Sequence, residues 1–225
     1  MNLIKKITQI LTALAGWTGL TLLMYVNLMF IRVDWGLTYL SSILRSFSYF
    51  TVLTNLFVTL SVTVPLLWPQ RRAGSFFSKP KTLSGLLVYI VIVGLVYHVV
   101  LAKIWNPQGI HKLADVLQHY IVPILFLLHW LFAPKGELSW KAVPSWLVFP
   151  AVYFIFILVR GAIANAYPYP FVDVSRLGLL QVLINAVLIT LGFSLFGLGT
   201  VALDKLLGKT RLNRQLNPGR GTDDR

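Results

Sequence analysis

The chain has 225 residues, of which 56% are hydrophobic and only 12% are charged. A soluble domain usually carries about 25% charged residues, so this composition excludes an ordinary soluble domain. The net charge is +13. In a soluble protein such a charge would suggest a nucleic-acid partner, but in a membrane protein it must be interpreted by the side of the membrane on which the basic residues lie. No cysteine is present, which excludes disulfides, thiolate metal sites and cysteine nucleophiles.

The 20 basic and 7 acidic side chains are unevenly distributed, and six long intervals contain none of them. A helix needs roughly 20 mostly apolar residues to cross the hydrocarbon core of a bilayer, and each interval is close to this length or longer. The sequence therefore predicts an all-α, polytopic membrane protein with a bundle of six transmembrane helices. We number these spans 1 to 6 and place them at about residues 7–31, 46–68, 82–102, 114–134, 142–162 and 177–203.

The basic residues indicate the orientation of this bundle. Most of the 20 lysines and arginines lie before span 1, between spans 2 and 3, between spans 4 and 5, and after span 6. Because basic residues concentrate on the cytoplasmic side, both termini are predicted to be cytoplasmic. We expect residues 1–203 to form one membrane domain and residues 204–225 to form a basic, disordered cytoplasmic tail. Orientation accounts for the basic residues, so no nucleic-acid partner is expected.

Few polar side chains lie inside the predicted spans, and most of them lie near the predicted outer face. Thr51 in span 2 and His119 in span 4 lie roughly 6 to 9 Å below that face, at 1.5 Å per residue. His98, near the outer end of span 3, falls at the same level. Polar side chains within hydrocarbon are costly and usually face the bundle interior. The pattern therefore predicts a polar site in the outer leaflet.

Span 2 carries Ser48, Thr51 and Asn55 at spacings of three and four residues, which places them on one helical face. Serine and threonine side chains in membrane helices usually bond to their own backbone or hold neighbouring helices together. Two interpretations of this face stay open. It is either a helix-packing surface or a catalytic hydroxyl with supporting polar groups.

Span 4 carries Asp115 and His119 one helical turn apart. This spacing lets the carboxylate fix the tautomer of the imidazole or raise its basicity. Pro123 has no N–H to bond to the carbonyl of His119, four residues before it, so we expect the helix to open at the histidine. Again two interpretations stay open, a histidine held in helix packing and a catalytic base.

Two further groups are candidates for the same site. His98 either lines an outer-leaflet cavity or donates to a neighbouring helix. Residues 167–173, with the sequence Tyr-Pro-Tyr-Pro-Phe-Val-Asp, cannot continue a helix and lie between spans 5 and 6 at the predicted outer face. This segment is either a structural cap or a lid in which Tyr169 and Asp173 supply polar contacts.

Together these motifs resemble the androgen-induced-gene family of six-span membrane proteins, and in particular its bacterial branch, often called Pr-six-Pr. The resemblance extends over nearly the whole chain. It is carried by Phe50 and Thr51 with Thr54 and Asn55, by His119 and Tyr120 with Pro123, and by residues 167–173. The animal proteins differ in having an acidic residue near the position of Asn55, and they share little of residues 167–173 beyond the Tyr-Pro-Phe core.

The resemblance implies an activity and a site. Characterised animal members are threonine hydrolases that cleave fatty acid esters of hydroxy fatty acids with one intramembrane threonine and one histidine. These two residues correspond to Thr51 as nucleophile and His119 as base. The resemblance also implies membrane lipids as partners, an acyl-ester lipid as substrate and the bacterial cytoplasmic membrane as location. The supporting or cavity-lining residues are expected to be Ser48, Asn55, His98, Asp115, Tyr169 and Asp173, with Asn55 or His98 donating to the oxyanion.

Other classes of function stay open. A lipid or solute carrier needs polar groups that reach both faces, whereas the inner halves of the spans are mainly apolar apart from His129 and a few hydroxyls. A haem protein needs two facing histidines, for which His98 and His119 are the candidates. No HxH or HxxxH spacing is present, so no metal is expected, and the hydrolase interpretation needs no cofactor. The pattern does not predict an oligomeric state.

Overall fold

The helices of the protein follow the charge-free intervals of the sequence. The computed structural model describes residues 3–216, in which six helices are long and apolar enough to cross a membrane. The predicted all-α, six-span bundle is thereby confirmed. In chain order the spanning helices are Leu3–Asp34, Phe50–Leu67, Pro80–Lys103, Gly109–Leu131, Ala142–Ala164 and Val174–Thr210. Two short helices, Tyr39–Ser46 and Arg72–Ser78, lie in the connections that precede and follow span 2.

Successive spans run in opposite directions, so the connections gather at two ends of the bundle. We call the end that carries Lys5, Lys79 and Lys141 the basic end, and the opposite end, near Thr51 and Asp173, the site end. Near the basic end, Gln9 of span 1 donates to the Val62 carbonyl of span 2 at 2.9 Å, and near the site end Asn27 of span 1 donates to Ser46 of the short Tyr39–Ser46 helix at 2.8 Å. The basic end is the one that the sequence predicts to be cytoplasmic.

The last helix is longer than its charge-free interval. It runs from Val174 to Leu216, with a kink at Gly178, where φ is +75°. Residues 204–216 are rich in lysine, leucine and arginine, which favour helix, and the next proline is Pro218. The helix therefore continues into the first part of the predicted tail, while residues 217–225 of that tail lie outside the described residues.

Asp204 connects this extension to the bundle. Its side chain is 1% exposed, and one carboxylate oxygen accepts from the backbone N–H groups of Gly136 and Leu138, each at 3.0 Å. Gly136 has φ +89°, a backbone conformation that favours glycine. The carboxylate therefore fixes the turn between spans 4 and 5 at the basic end.

Aromatic side chains fill the centre of the bundle between spans 2, 3, 5 and 6. The ring of Phe50 lies 5.2 Å from that of Phe149 and 5.0 Å from that of Tyr153, measured between centroids. Pro150, inside span 5, has no N–H for the carbonyl of residue 146. The Tyr89 hydroxyl donates to that carbonyl at 2.6 Å and replaces the missing helical bond.

Candidate functional site

Thr51 lies in the first turn of span 2, at the site end. Tyr49, the residue before the helix, has an extended backbone, and its side chain does not cap the helix. Tyrosines from distant parts of the chain cap the first two amides instead. The Phe50 N–H donates to the Tyr153 hydroxyl at 3.1 Å, and the Thr51 N–H donates to the Tyr169 hydroxyl at 3.3 Å. These two hydroxyls fix the position of Thr51 at the helix start.

The Thr51 side chain is buried and lies beside Tyr169. Its Oγ1 is 3.4 Å from the Tyr169 hydroxyl, and either oxygen can donate. Burial raises the pKa of Tyr169 to about 12, so this phenol keeps its proton at neutral pH. Thr51 also lies at the N-terminus of an 18-residue helix, whose dipole stabilises negative charge. The structure therefore brings together two of the predicted residues at one buried hydroxyl pair.

A cavity of about 360 Å³ lies beside Thr51, between spans 2, 3, 5 and 6. Along span 5 this Thr51 cavity extends from Leu147 to Ile157, about 15 Å at 1.5 Å per residue. Its wall is mainly aliphatic and aromatic, and the polar side chains in it are Thr51, Tyr97, Tyr153, Tyr169 and Thr190. The shape and lining suit a long apolar group whose polar end reaches Thr51.

His119 lies in a π-helical stretch, Leu117–Ile121. This wider turn is the helix opening that Pro123 predicts. Nδ1 of His119 lies 2.9 Å from the backbone carbonyl oxygen of Asp115 and 3.2 Å from its carboxylate Oδ1. Because both oxygens accept, Nδ1 carries the proton, and Nε2 is the basic nitrogen of the neutral ring.

Tyr97 in span 3 joins this pair to the Thr51 cavity. Its hydroxyl donates to the carboxylate of Asp115, and its ring stacks on the imidazole of His119 with centroids 3.8 Å apart. It also forms part of the cavity wall with Thr51. Sequence reasoning missed Tyr97, because a tyrosine near the end of a span is usually an interfacial anchor.

Asn55 is buried one turn below Thr51 and connects span 2 to span 4. Its Nδ2 donates to the Thr51 carbonyl at 2.9 Å and to the Gln118 carbonyl at 3.3 Å, so both amide hydrogens are engaged. The Gln118 amide in turn donates to the Gly19 carbonyl in span 1 at 3.0 Å. Asn55 and Gln118 therefore hold three spans together. Sequence reasoning missed Gln118, whose partners are distant in the chain.

The other three predicted residues lie away from the cavity wall. Ser48 is buried and donates to the backbone carbonyl four residues before it. His98 is exposed, with Nδ1 3.2 Å from a tyrosine hydroxyl of span 4. Asp173 accepts from Ser175 and pairs with Arg176 at 3.3 Å, so it caps the start of the last helix. None of these three side chains lines the Thr51 cavity.

Thr51 and His119 belong to contacting helices, but their side chains are not bonded to each other. Spans 2 and 4 meet one turn away, where Asn55 bonds to the backbone of span 4. In the part of the chain that the structure describes, no hydrogen bond joins Thr51 to His119, and His119 is not part of the cavity wall. Tyr97 is the side chain that contacts the imidazole and also lines the cavity with Thr51.

The candidate ligands for a metal or a haem are His98, His119 and Asp115. Within the described residues, no group of three or more His, Asp or Glu side chains is placed to hold a metal ion. His119 is bonded to Asp115, and His98 contacts the Tyr120 hydroxyl. Both contacts are made by Nδ1, so they leave Nε2, the nitrogen through which each ring would bind a haem iron, without a hydrogen bond among the described residues.

Six spanning helices define the protein as a multi-pass integral membrane protein. Comparisons with protein-family models, with curated proteins and with solved structures found no match. Because fold alone does not define function, the function is inferred from the geometry around Thr51.

Proposed function

We propose that the protein hydrolyses an ester of a membrane lipid, with the acyl chain in the Thr51 cavity and the ester group at Thr51. The observation that carries the proposal is the position of a hydroxyl nucleophile in the wall of an apolar cavity, beside a buried phenol. Packing of the acyl chain against the apolar wall would hold the ester next to the hydroxyl. The family resemblance supports the same residue.

The proposed reaction passes through an acyl-threonine. Thr51 Oγ1 attacks the carbonyl carbon, and its proton passes to Nε2 of His119. The Tyr169 hydroxyl donates to the carbonyl oxygen as it gains charge, and the N-terminus of span 2 adds to its stabilisation. The bond to the alcohol then breaks, and His119 returns the proton to the leaving alkoxide. Water repeats these steps on the acyl-threonine, which releases the fatty acid and restores the hydroxyl.

The proton path between Thr51 and His119 passes the ring of Tyr97. Hydrogen bonds between catalytic groups are often long in unliganded enzymes and shorten when the substrate binds. A bridging water or a shift of the Tyr97 ring would complete the path. Asp115 holds Nδ1–H of the imidazole and stabilises the imidazolium that forms. Tyr169 is a better oxyanion donor than Asn55, whose amide hydrogens are both engaged by carbonyl groups.

A lipid-binding protein without hydrolytic activity is the second candidate function. The observation that favours it is that the two residues of the proposed reaction contact other groups and not each other: Thr51 contacts Tyr169, and His119 contacts Asp115. In this case the same apolar cavity would bind the chain and the same hydroxyls would hold the headgroup. The two candidates differ in whether Thr51 forms a covalent bond.

Labelling of the purified full chain with a fluorophosphonate probe, together with an ester-hydrolysis assay on micellar lipids, separates the two candidates. We expect mapping to place the label on Thr51, and Thr51→Val to lose at least about 10³-fold in hydrolysis. Thr51→Ser is the matched control, since it keeps a hydroxyl, and it should retain both activities. Undiminished labelling of Thr51→Val would overturn Thr51 as nucleophile. Lipid binding without labelling or hydrolysis in the wild type would favour the second candidate.

A further inference from the structure

A second cavity, of about 340 Å³, lies at the basic end, between spans 1 to 4 and the Arg72–Ser78 helix. We call it the Lys5 cavity. It shares no wall residue with the Thr51 cavity. Its polar wall residues are Lys5, Lys6, Gln9, Ser61, Ser78 and His129, and the remainder are apolar or proline.

The charge of the Lys5 cavity is positive. Lys5 and Lys6 contribute two ammonium groups, and no aspartate or glutamate belongs to the wall. The ion pairs found among residues 3–210 join Asp115 to His119 and Asp173 to Arg176, both at the site end. Within that range neither lysine has a carboxylate partner. A bound anion would supply the missing negative charge.

His129 adds a polar group that lacks a partner. Its side chain is 3% exposed, and its Nδ1 has no hydrogen-bond partner among the described residues. Buried polar groups are normally bonded, so a histidine with an unpaired nitrogen in the wall of a cavity is a candidate contact for a bound polar group. Pro65, also in the cavity wall, has no N–H to donate to the carbonyl of Ser61, four residues before it.

The surroundings of the Lys5 cavity indicate a lipid as the source of the anion. The Arg72–Ser78 helix, which forms one side of the cavity through Phe77 and Ser78, has exposed arginines before it and within its first turn. It also exposes Phe76 by 53%, and nearby Trp68 is exposed by the same fraction. Basic and aromatic side chains exposed together suit the interface of an anionic membrane leaflet. The cavity therefore lies beside the lipid headgroups.

We propose that the Lys5 cavity binds the phosphate of an anionic membrane lipid, with Lys5 and Lys6 at the phosphate and His129 at a headgroup oxygen. Lysine binds phosphate as a point charge, and Nδ1 of His129 can donate to a phosphate oxygen or accept from a headgroup hydroxyl. This site is separate from Thr51 and does not rest on the proposed hydrolysis. Its ligand is a lipid that holds spans 1, 2 and 4 together at the basic end.

Native mass spectrometry of the full chain tests this site. The protein is released from bilayers of equal amounts of phosphatidylcholine and phosphatidylglycerol, and the lipid molecules retained on it are identified. We expect the wild type to retain phosphatidylglycerol several-fold over phosphatidylcholine. The double substitution Lys5→Gln and Lys6→Gln should remove this preference, and His129→Gln should lower it about threefold. Lys141→Gln, which removes an exposed cation of the same end outside the cavity, is the matched control and should keep it.

A second arm distinguishes the lipid from free phosphate. Inorganic phosphate is added during release, and the retained lipid is measured again. Retention that persists in phosphate and is lost in the double lysine variant supports the lipid site. Bound phosphate without a lipid preference overturns the lipid as ligand. Equal preference in the wild type and in the double variant, with unchanged thermal midpoints, overturns the site itself.

Discussion

The two cavities of the bundle are nearly equal in volume, about 360 and 340 Å³, but they differ in their polar groups. The Thr51 cavity is apolar with uncharged hydroxyls near the site end, whereas the Lys5 cavity carries two lysines and a histidine at the basic end. Volume therefore does not separate their functions. The chemistry of the wall does, because an apolar wall suits an acyl chain and a cationic wall suits an anionic headgroup.

The predictions below aim to separate the two cavities, so each substitution is tested against both. Hydrolysis of ester lipids reports on the Thr51 cavity, and retention of phosphatidylglycerol reports on the Lys5 cavity. A substitution that changes both readouts would show that the cavities act as one unit.

Among substitutions that keep Thr51, the largest effect is expected from Tyr169→Phe. This substitution removes the hydroxyl beside Thr51 Oγ1, and loss of one oxyanion donor typically costs about 10²-fold or more in rate. Tyr153→Phe is the matched control, because it removes the cap of the neighbouring amide, at Phe50. Both variants should lose about 1 to 2 kcal/mol of stability, but only Tyr169→Phe should lose about 10²-fold in kcat. Equal rate losses would assign the hydroxyl of Tyr169 a structural role alone.

A smaller effect is expected from filling the Thr51 cavity with Ala186→Phe. The added ring would exclude part of a long chain from the cavity, and the fit of one methylene group in an apolar enzyme pocket is worth about 1 to 3 kcal/mol. Long-chain esters should therefore lose about tenfold or more in kcat/KM, while short-chain esters are unaffected. Ala162→Phe, at an exposed position of span 5, is the control. Equal losses for short and long chains would place the chain outside this cavity.

Asp115→Asn should reduce kcat by about tenfold. The carboxylate stabilises the imidazolium, but the backbone carbonyl of Asp115 also bonds to Nδ1 of His119. That carbonyl keeps the tautomer, so the loss should be far smaller than the roughly 10⁴-fold seen where the carboxylate alone fixes it. The ester assay measures kcat directly. A loss near 10⁴-fold would show that the backbone bond does not hold the ring.

The smallest effect is expected at the basic end, from Asp204→Asn. The amide oxygen can still accept from Gly136 and Leu138, but it loses the charge assistance of the carboxylate. A cost of about 1 kcal/mol corresponds to a fall of roughly 2 to 4 °C in Tm for a chain of this length. Hydrolysis should be unchanged at a temperature below the transition. A change in kcat would show that the basic end is coupled to Thr51.

The architecture could be predicted from the sequence because it depends on local properties. The charge-free intervals predicted all six spans, and Pro123 predicted the open turn at His119, both of which the structure contains. Thr51 and Asn55 share one buried face of span 2, as their spacing predicts, but the prediction is wrong for Ser48, which lies in the turn before that helix.

The contacts that define the site could not be predicted, because they join residues far apart in the chain. Tyr153 and Tyr169 cap amides more than 100 positions earlier. Gln118 bonds to span 1 across 99 positions. The Lys5 cavity escaped prediction for a different reason. The orientation of the bundle in the membrane already accounted for the lysines of the basic end. No local signal in the sequence therefore marked Lys5 and Lys6 as part of a cavity wall.

The distant tyrosine caps also bear on the order in which the protein assembles. Span 2 is synthesised before spans 3 to 6, yet its first two amides are satisfied only by Tyr153 in span 5 and by Tyr169 after it. Until those segments are made, Thr51 lacks both its amide cap and its hydroxyl neighbour. The geometry on which the proposed catalysis depends therefore forms only after span 5 and Tyr169 have been synthesised.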